Sequence, residues 1–406
     1  MTDELLAKDG LDWVRVEAEL EAASGGDIDH DKGLAFVVHP DDALIEVGKK
    51  AYLKYFSTNG VAQGAYPSLA RFEDELVRAA ADLMRGGADV VGTVTPAGTE
   101  SCFMAVKAAR DWAAANRPVA GVPEILVARS AYPSFPKAAR YLGLNEVRVP
   151  LADDLRADVA AMAQAVTENT IMIVASAPTW CHGVFDPVIE LDALARARNL
   201  WLHVDACVGG FLAPFFKKLG QPVPDFDFSL PGVTSISADM HKYGYAPKTS
   251  SVILYRNADY AAYQSLDFDD WPGGTYGLDA FTASRPGAPV AAAWAVMRHL
   301  GTKGYLAQAC RIIAARDALL AGIEAIPALH LTNAPEFCVV TFAATGFDVF
   351  ALADALAVKG WLVGRIQDPR SLHVMVVPRH DRAILGFLDA LGEAVAELAP
   401  GQTRTA

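Results

Sequence analysis

Two hydrophobic periods alternate along this chain, and the switches between them mark out its elements. Leu69, Phe72, Leu76 and Leu83 fall at helical spacing behind Ser68, which predicts an amphipathic helix capped by that serine. Leu11, Val14, Val16 and Leu20 predict an earlier helix, broken at Gly25-Gly26-Asp27, and 43–55 predicts another. Further on, short apolar runs at 124–128, 171–175, 201–205, 233–237 and 251–255 read as strands, with helical stretches at 102–112 and 190–199 between them. Such alternation predicts an α/β domain with a mostly parallel sheet and ligands at its carboxyl edge. A long helical run over roughly 288–326 follows. The pattern then reads strand (338–342), helix (348–358), two strands (362–366, 372–377) and helix (381–398), a small α+β unit. The expected organisation is an N-terminal helical arm over 1–56, a large α/β domain over 57–287, and a helix with a small domain over 288–406.

The loop between the runs at 233–237 and 251–255 contains Asp239-Met240-His241-Lys242-Tyr243-Gly244-Tyr245-Ala246-Pro247-Lys248. A lysine held there, near the core rather than on a solvated helix face, is expected to have its pKa lowered by desolvation and to act as an amine nucleophile. The matching chemistry is a Schiff base with pyridoxal phosphate; the loop taken alone reads more readily as a hairpin with a surface lysine. Trp201-Leu202-His203-Val204-Asp205 is an apolar run ending on an acid. A carboxylate at a strand's carboxyl end suits the pyridine nitrogen of that cofactor, although Asp205 alone also fits a helix N-cap. Thr95-Pro96-Ala97-Gly98-Thr99-Glu100-Ser101 puts a small-residue turn at a helix start, where N–H groups and the helix dipole favour a phosphate. The order phosphate turn, strand-end acid, lysine is more specific than any of its members.

Together these stretches resemble the sphingosine-1-phosphate lyase family, in the group II decarboxylase branch of pyridoxal phosphate enzymes of the aspartate-aminotransferase fold type. Trp271-Pro272-Gly273-Gly274-Thr275-Tyr276 and Ser284-Arg285-Pro286-Gly287 add to the likeness, which runs from about Phe56 to the C-terminus. The resemblance implies a type I, PLP-dependent transferase-like fold and a homodimer with shared active sites. It implies that Lys242 carries the cofactor, Asp205 pairs with its ring nitrogen, and Gly98, Thr99 and His241 hold its phosphate. Gly274 and Thr275 would reach the cofactor phosphate of the neighbouring subunit. Lys248 would bind a substrate phosphate, helped by Tyr66 and by Tyr243 or Tyr245; the bland alternative leaves Lys248 solvated. His203 shares a strand face with Asp205 and reads more readily as a satisfied core histidine than as a cofactor contact.

The chain departs from the family pattern in three places. The family's ring-stacking histidine lies in a Ser-Ala-His run; here the run is Ser130-Ala131-Tyr132, so Tyr132 would have to cover the ring. A phosphate-binding histidine is replaced at about Ala62, and Thr249 stands where a glycine is usual. The implied reaction is a retro-aldol cleavage of a phosphorylated long-chain β-hydroxy amine to a fatty aldehyde and phosphoethanolamine. The alternative is decarboxylation of an amino acid, which requires a cation for the substrate carboxylate, with Arg285 as a candidate. A non-catalytic cofactor-binding protein is a weaker third reading.

Composition narrows the partners. A net charge of −13 argues against nucleic acid, which demands clustered Lys and Arg. With 52% apolar and 20% charged residues the chain is globular rather than disordered. Cys102, Cys181, Cys207, Cys310 and Cys338 form no CxxC pair and no zinc spacing, so reduced thiols and no metal are expected. No window holds about 18 uninterrupted apolar residues, and the N-terminus lacks a signal-peptide pattern. The expectation is a soluble, cytoplasmic enzyme acting on a small molecule.

Overall fold

The computed structural model describes residues 5, 10–35, 38–61 and 64–399; Ala62 lies outside them. Three helices lead in: α1 (Trp13–Ser24), α2 (Asp42–Lys54) and α3 (Pro67–Leu83). The start of α3 differs from expectation. Tyr66 is its N-cap, Pro67 takes the first turn with its φ already preset, and Ser68 lies inside the helix.

The large sheet is built from β1 (Val91–Thr95), β2 (Glu124–Ala128), β3 (Asn145–Val149), β4 (Thr170–Ser176), β5 (Trp201–Asp205), β6 (Val233–Ala238) and β7 (Ser251–Tyr255). Its spatial order is β1-β7-β6-β5-β4-β2-β3. Only β7 runs against its neighbours; the others are parallel, joined by crossovers through α4 (Gly98–Asn116), α5 (Ser134–Leu142), α6 (Val159–Ala165), α7 (Val188–Arg198) and α8 (Ala213–Lys218). Helices on both faces bury every strand of the sheet's middle, which is why these runs are nearly continuous in apolar residues. Alternate residues feed two cores. Leu202 and Val204 join one, while Trp201 packs with α4, Ile125 and Val127 in the other. Asp205 therefore points to the α4 side of the sheet.

A short helix α9 (Ala258–Ala261) and an exposed hairpin, β8 (Leu266–Phe268) with β9 (Tyr276–Leu278), follow the sheet. The long run becomes α10 (Ala288–Glu324), interrupted at Gly301, whose φ of 53° and ψ of −177° are non-helical. The last unit is a four-stranded antiparallel sheet in the order β10-β11-β13-β12, from β10 (Leu329–Leu331), β11 (Val339–Ala344), β12 (Gly364–Gln367) and β13 (Arg370–Met375). It packs against α11 (Val349–Val358) and α10, and α12 (His380–Leu398) lies against those two helices. No described helix is long and apolar enough to cross a membrane.

Candidate active site

The parallel strands deliver their carboxyl ends to one cleft. Ser176 comes from the end of β4, Asp205 from the end of β5, and Asp239, His241 and Lys242 from the loop after β6. The start of α4 supplies Ala97, Gly98 and Thr99 and its second turn Cys102, while Tyr132 comes from the loop into α5 and Ser134 from that helix's first position. Pro178 and Trp180 close the side beyond β4.

Lys242 Nζ lies 3.0 Å from Asp239 Oδ2, and its side chain is 21% exposed. Burial alone would lower this ammonium's pKa, but the Asp239 carboxylate, with smaller contributions from Cys207 and Asp205, outweighs it. Lys242 is thus held above the ordinary lysine value, the reverse of the sequence expectation. Desolvation is what the sequence suggests; the deciding anion stands three residues earlier, at Asp239. Asp239 is buried and receives the Ser251 hydroxyl at 2.6 Å as well as Lys242. Burial would raise its carboxyl; Lys242 and His241 hold it below the usual value instead.

Asp205 Oδ1 accepts the Cys207 N–H at 3.0 Å and the Ser237 hydroxyl at 3.4 Å. Burial pushes its carboxyl up, against the pull of Cys207 and Lys242. A protonated ring nitrogen beside it would restore a charge partner. His203 is completely buried one step back on the same strand face. Its Nδ1 sits 2.8 Å from Ser235 Oγ and its Nε2 3.2 Å from Ser237 Oγ, and burial drives its pKa down to about 3. It is a neutral core histidine that touches Asp205 only through Ser237.

His241 Nδ1 donates to the Ser250 carbonyl at 2.9 Å, which leaves Nε2 toward Asp239, 3.6 Å away. Tyr132 is 43% exposed, with its ring centroid 6.0 Å from Lys242 Nζ and its edge toward Trp180. Trp180 and Ser134 had no place in the sequence reading. Ser134 Oγ is a buried hydroxyl of the cleft without a partner among the described residues. Sequence offered one weak signal for both: each lies just past an apolar run's carboxyl end.

Several expected site residues are not brought to this cleft. Tyr243 is fully buried and gives its hydroxyl to the Val376 carbonyl at 3.0 Å, across to the last unit, so its hydroxyl is committed elsewhere. Tyr245 is buried against Tyr305 and, with Lys248, lines a separate apolar hollow against α2. Lys248 is exposed at the rim, its Nζ donating to the His241 carbonyl at 3.1 Å. Tyr66 is half-buried at the start of α3. Gly274 and Thr275 sit on the exposed turn between β8 and β9. Arg285 is committed to Glu73 through two hydrogen bonds of 2.9 Å.

The residues of the cleft fit pyridoxal phosphate. An amine shares the cleft with a buried carboxylate, Asp205, that forms no ion pair among the described residues, and α4 begins without a side-chain cap on its N–H groups. At Gly98 a Cβ would stand 2.6 Å from Asp239 Oδ1 and 2.8 Å from Cys207 Sγ, so only glycine leaves the cradle open. The unpartnered Ser134 hydroxyl adds a donor.

Comparison with known proteins agrees with this chemistry. Residues 53–345 match the pyridoxal-dependent decarboxylase conserved domain, so the chain belongs to that family and pyridoxal phosphate is its cofactor. Within that family the chain groups with the sphingosine-1-phosphate lyases. It is 39% identical to sphingosine-1-phosphate lyase 1 of Mus musculus over 97% of this chain and 70% of that one. It is 39% identical to the sphingosine-1-phosphate lyase of Oryza sativa over 85% of this chain and 65% of that one. The chain thus spans about two thirds of the length of these relatives. The solved structure of a Burkholderia pseudomallei sphingosine-1-phosphate lyase superposes with a TM-score of 0.93 at 34% identity, covering 97% of this chain and 93% of that one. A Lactobacillus brevis glutamate decarboxylase shares the fold, with a TM-score of 0.87 at 22% identity.

Proposed function

We propose that this protein is a pyridoxal phosphate-dependent carbon–carbon lyase that cleaves a phosphorylated long-chain β-hydroxy amine, such as sphingosine-1-phosphate, to a fatty aldehyde and phosphoethanolamine. The observation that carries the reading is Lys242 facing Asp205 in one cleft of a chain 39% identical to such lyases. When bound, the cofactor supplies an electron sink for the pair left by the broken Cα–Cβ bond.

The chain's own groups do the rest. Asp205 holds a proton on the cofactor's ring nitrogen. Lys242 is the amine that bears the cofactor and later returns a proton to the substrate carbon. To act as a nucleophile Lys242 must lose the proton that Asp239, at 3.0 Å, stabilises on it. Gly98, Thr99 and Ser134 would hold the cofactor phosphate, with His241 beside them, and Tyr132 would cover the ring. Lys248, whose Nζ donates to the carbonyl of the cleft residue His241, is the cation nearest at hand for the substrate phosphate.

The functional unit in this proposal is a homodimer, with Gly274 and Thr275 serving the neighbouring site. Exposed aromatic side chains at Phe56, Trp271 and Phe281 support an interface there. Free cysteines, with no disulfide among the described residues, support a cytoplasmic setting. In this reading the chain divides into an arm over 1–56, a large domain over 57–287 and a helix with a small domain over 288–406.

The test is product analysis on cofactor-loaded protein, offered sphingosine-1-phosphate in parallel with aromatic and acidic amino acids. A fatty aldehyde with phosphoethanolamine supports the lyase. Carbon dioxide with an amine overturns it in favour of decarboxylation. Full turnover by Lys242→Ala removes the lysine from the mechanism. Sedimentation at graded concentrations tests the dimer.

A further inference from the structure

The floor of the cleft brings Asp205 together with two thiols that the proposed reaction leaves unused. Cys102 lies on the second turn of α4, Cys207 two residues past the end of β5, and Asp205 at that strand's end. All three are buried, and one donor atom from each lies within 4.8 Å of the others. Both sulfurs sit against Ser237 Oγ, at 3.8 Å and 3.4 Å, and that hydroxyl also lies 3.4 Å from Asp205 Oδ1. No sequence spacing announces this set; parallel pairing of β5 with β6 and the packing of α4 assemble it.

We propose that the cofactor-free protein binds one dication of the zinc and cadmium class at Cys102, Cys207 and Asp205, and that this ion and pyridoxal phosphate exclude one another. In a tetrahedral site, metal–sulfur distances of about 2.3 Å and metal–oxygen distances of about 2.1 Å put the donors roughly 3.5–3.8 Å apart. Side-chain rotations of about 1 Å close the observed spread to that geometry. Two thiols give up their protons on binding, so two thiolates and a carboxylate meet the dication and one negative charge remains. The Lys242 ammonium, whose pKa Cys207 and Asp205 already help to hold up, balances it. Water or the Ser237 hydroxyl fills the fourth position. Exclusion follows because the ion consumes Asp205, the carboxylate assigned above to the cofactor's ring nitrogen; that half of the proposal rests on the assignment.

Cadmium ion is the probe, added to cofactor-free protein while the thiolate-to-cadmium absorption band and proton release are followed. The expected result is one ion per chain with two protons released, and no uptake by protein preloaded with pyridoxal phosphate. Cys102→Ser and Cys207→Ser should each weaken binding by at least about tenfold, the loss seen when even an outer-shell partner of a metal is removed. Cys310→Ser, at an exposed thiol, should bind as the unmodified chain does. Proton release is read on unmodified protein, so misfolding of a variant does not decide the outcome. Unchanged affinity in Cys102→Ser, or release of fewer than two protons, overturns the site. Cysteine-dependent binding that persists in the cofactor-loaded protein instead overturns exclusion, and with it the placing of the cofactor on Asp205.

Discussion

Replacing Asp239 by asparagine should convert Lys242 from a stabilised ammonium into a readily deprotonated amine. At 3.0 Å, Coulomb attraction at an effective dielectric of about 20 is worth roughly 5.5 kcal/mol, or about 4 pKa units. The Lys242 side chain is 21% exposed, and water in the cleft screens the pair, so a drop of about 2–4 units is expected. Asparagine keeps the oxygen that accepts from Ser251 at 2.6 Å, so the local fold should survive. The assay is pH-stepped labelling of cofactor-free protein with an amine-reactive reagent, with the Lys242 and Lys248 peptides quantified by mass spectrometry. At pH 8 the Lys242 labelling rate should rise by about 10²- to 10⁴-fold, because each unit of pKa below that of the parent is tenfold more neutral amine. Cofactor capture, followed by absorbance, should accelerate in the same direction, since only the neutral amine attacks. A Lys242 midpoint within about half a unit of the parent would refute Asp239 as the group that holds the ammonium.

Gly98→Ala should impair cofactor retention, because the new methyl would stand 2.6 Å from Asp239 and 2.8 Å from Cys207; equilibrium dialysis should show it, with an overpacking cost of about 1–3 kcal/mol. Thr249 has a φ of 69°, a left-handed backbone that costs an L-residue about 1–2 kcal/mol. After glycine's own entropic cost of about 0.5–1 kcal/mol, Thr249→Gly should stabilise by roughly 0.5–1 kcal/mol in denaturant melts, and a loss of stability would contradict that account. Acid should destabilise the fold well above the carboxylate range. His203, His373 and His380 are held by burial at about 3, 3 and 4, so unfolding takes up protons below the free value of about 6.5, and stability falls as pH drops. Asp186, raised by burial to about 6, returns one proton over part of that range, and Asp205, Glu100 and Glu146, also raised, oppose the trend further. His39, His182 and His241, also held low chiefly by burial, add to the uptake. The slope should therefore be on the order of 2.7 kcal/mol per pH unit between pH 6 and 4; denaturant melts that do not change over that range would refute it.

The chain's own pattern determined the sheet and the identity of its central acid and lysine. Runs such as 201–205 and 251–255 are buried on both faces, so they carry an apolar signal that survives without context, and β5 and β7 span those same residues. Asp205 was legible because the carboxyl end of such a strand is a fixed place in an α/β sheet. β1 was not, since its Gly92 and two threonines dilute the pattern and its first three residues are only half-buried. The break in α10 at Gly301 was likewise hidden inside an alanine-rich run.

Tertiary structure alone decided the electrostatics. Whether burial or a neighbour's charge controls Lys242 depends on a 3.0 Å distance to Asp239, and no spacing rule gives that distance. It also decided which tyrosines face the cleft. Tyr243 follows the lysine directly, yet the turn of the loop sends it to Val376 in another unit. Cys102 and Cys207 stand 105 positions apart and meet only because α4 packs over β5 and β6. Sequence pattern reports burial, which is a property of one element; charge and proximity belong to pairs of elements, and only the packed fold sets them.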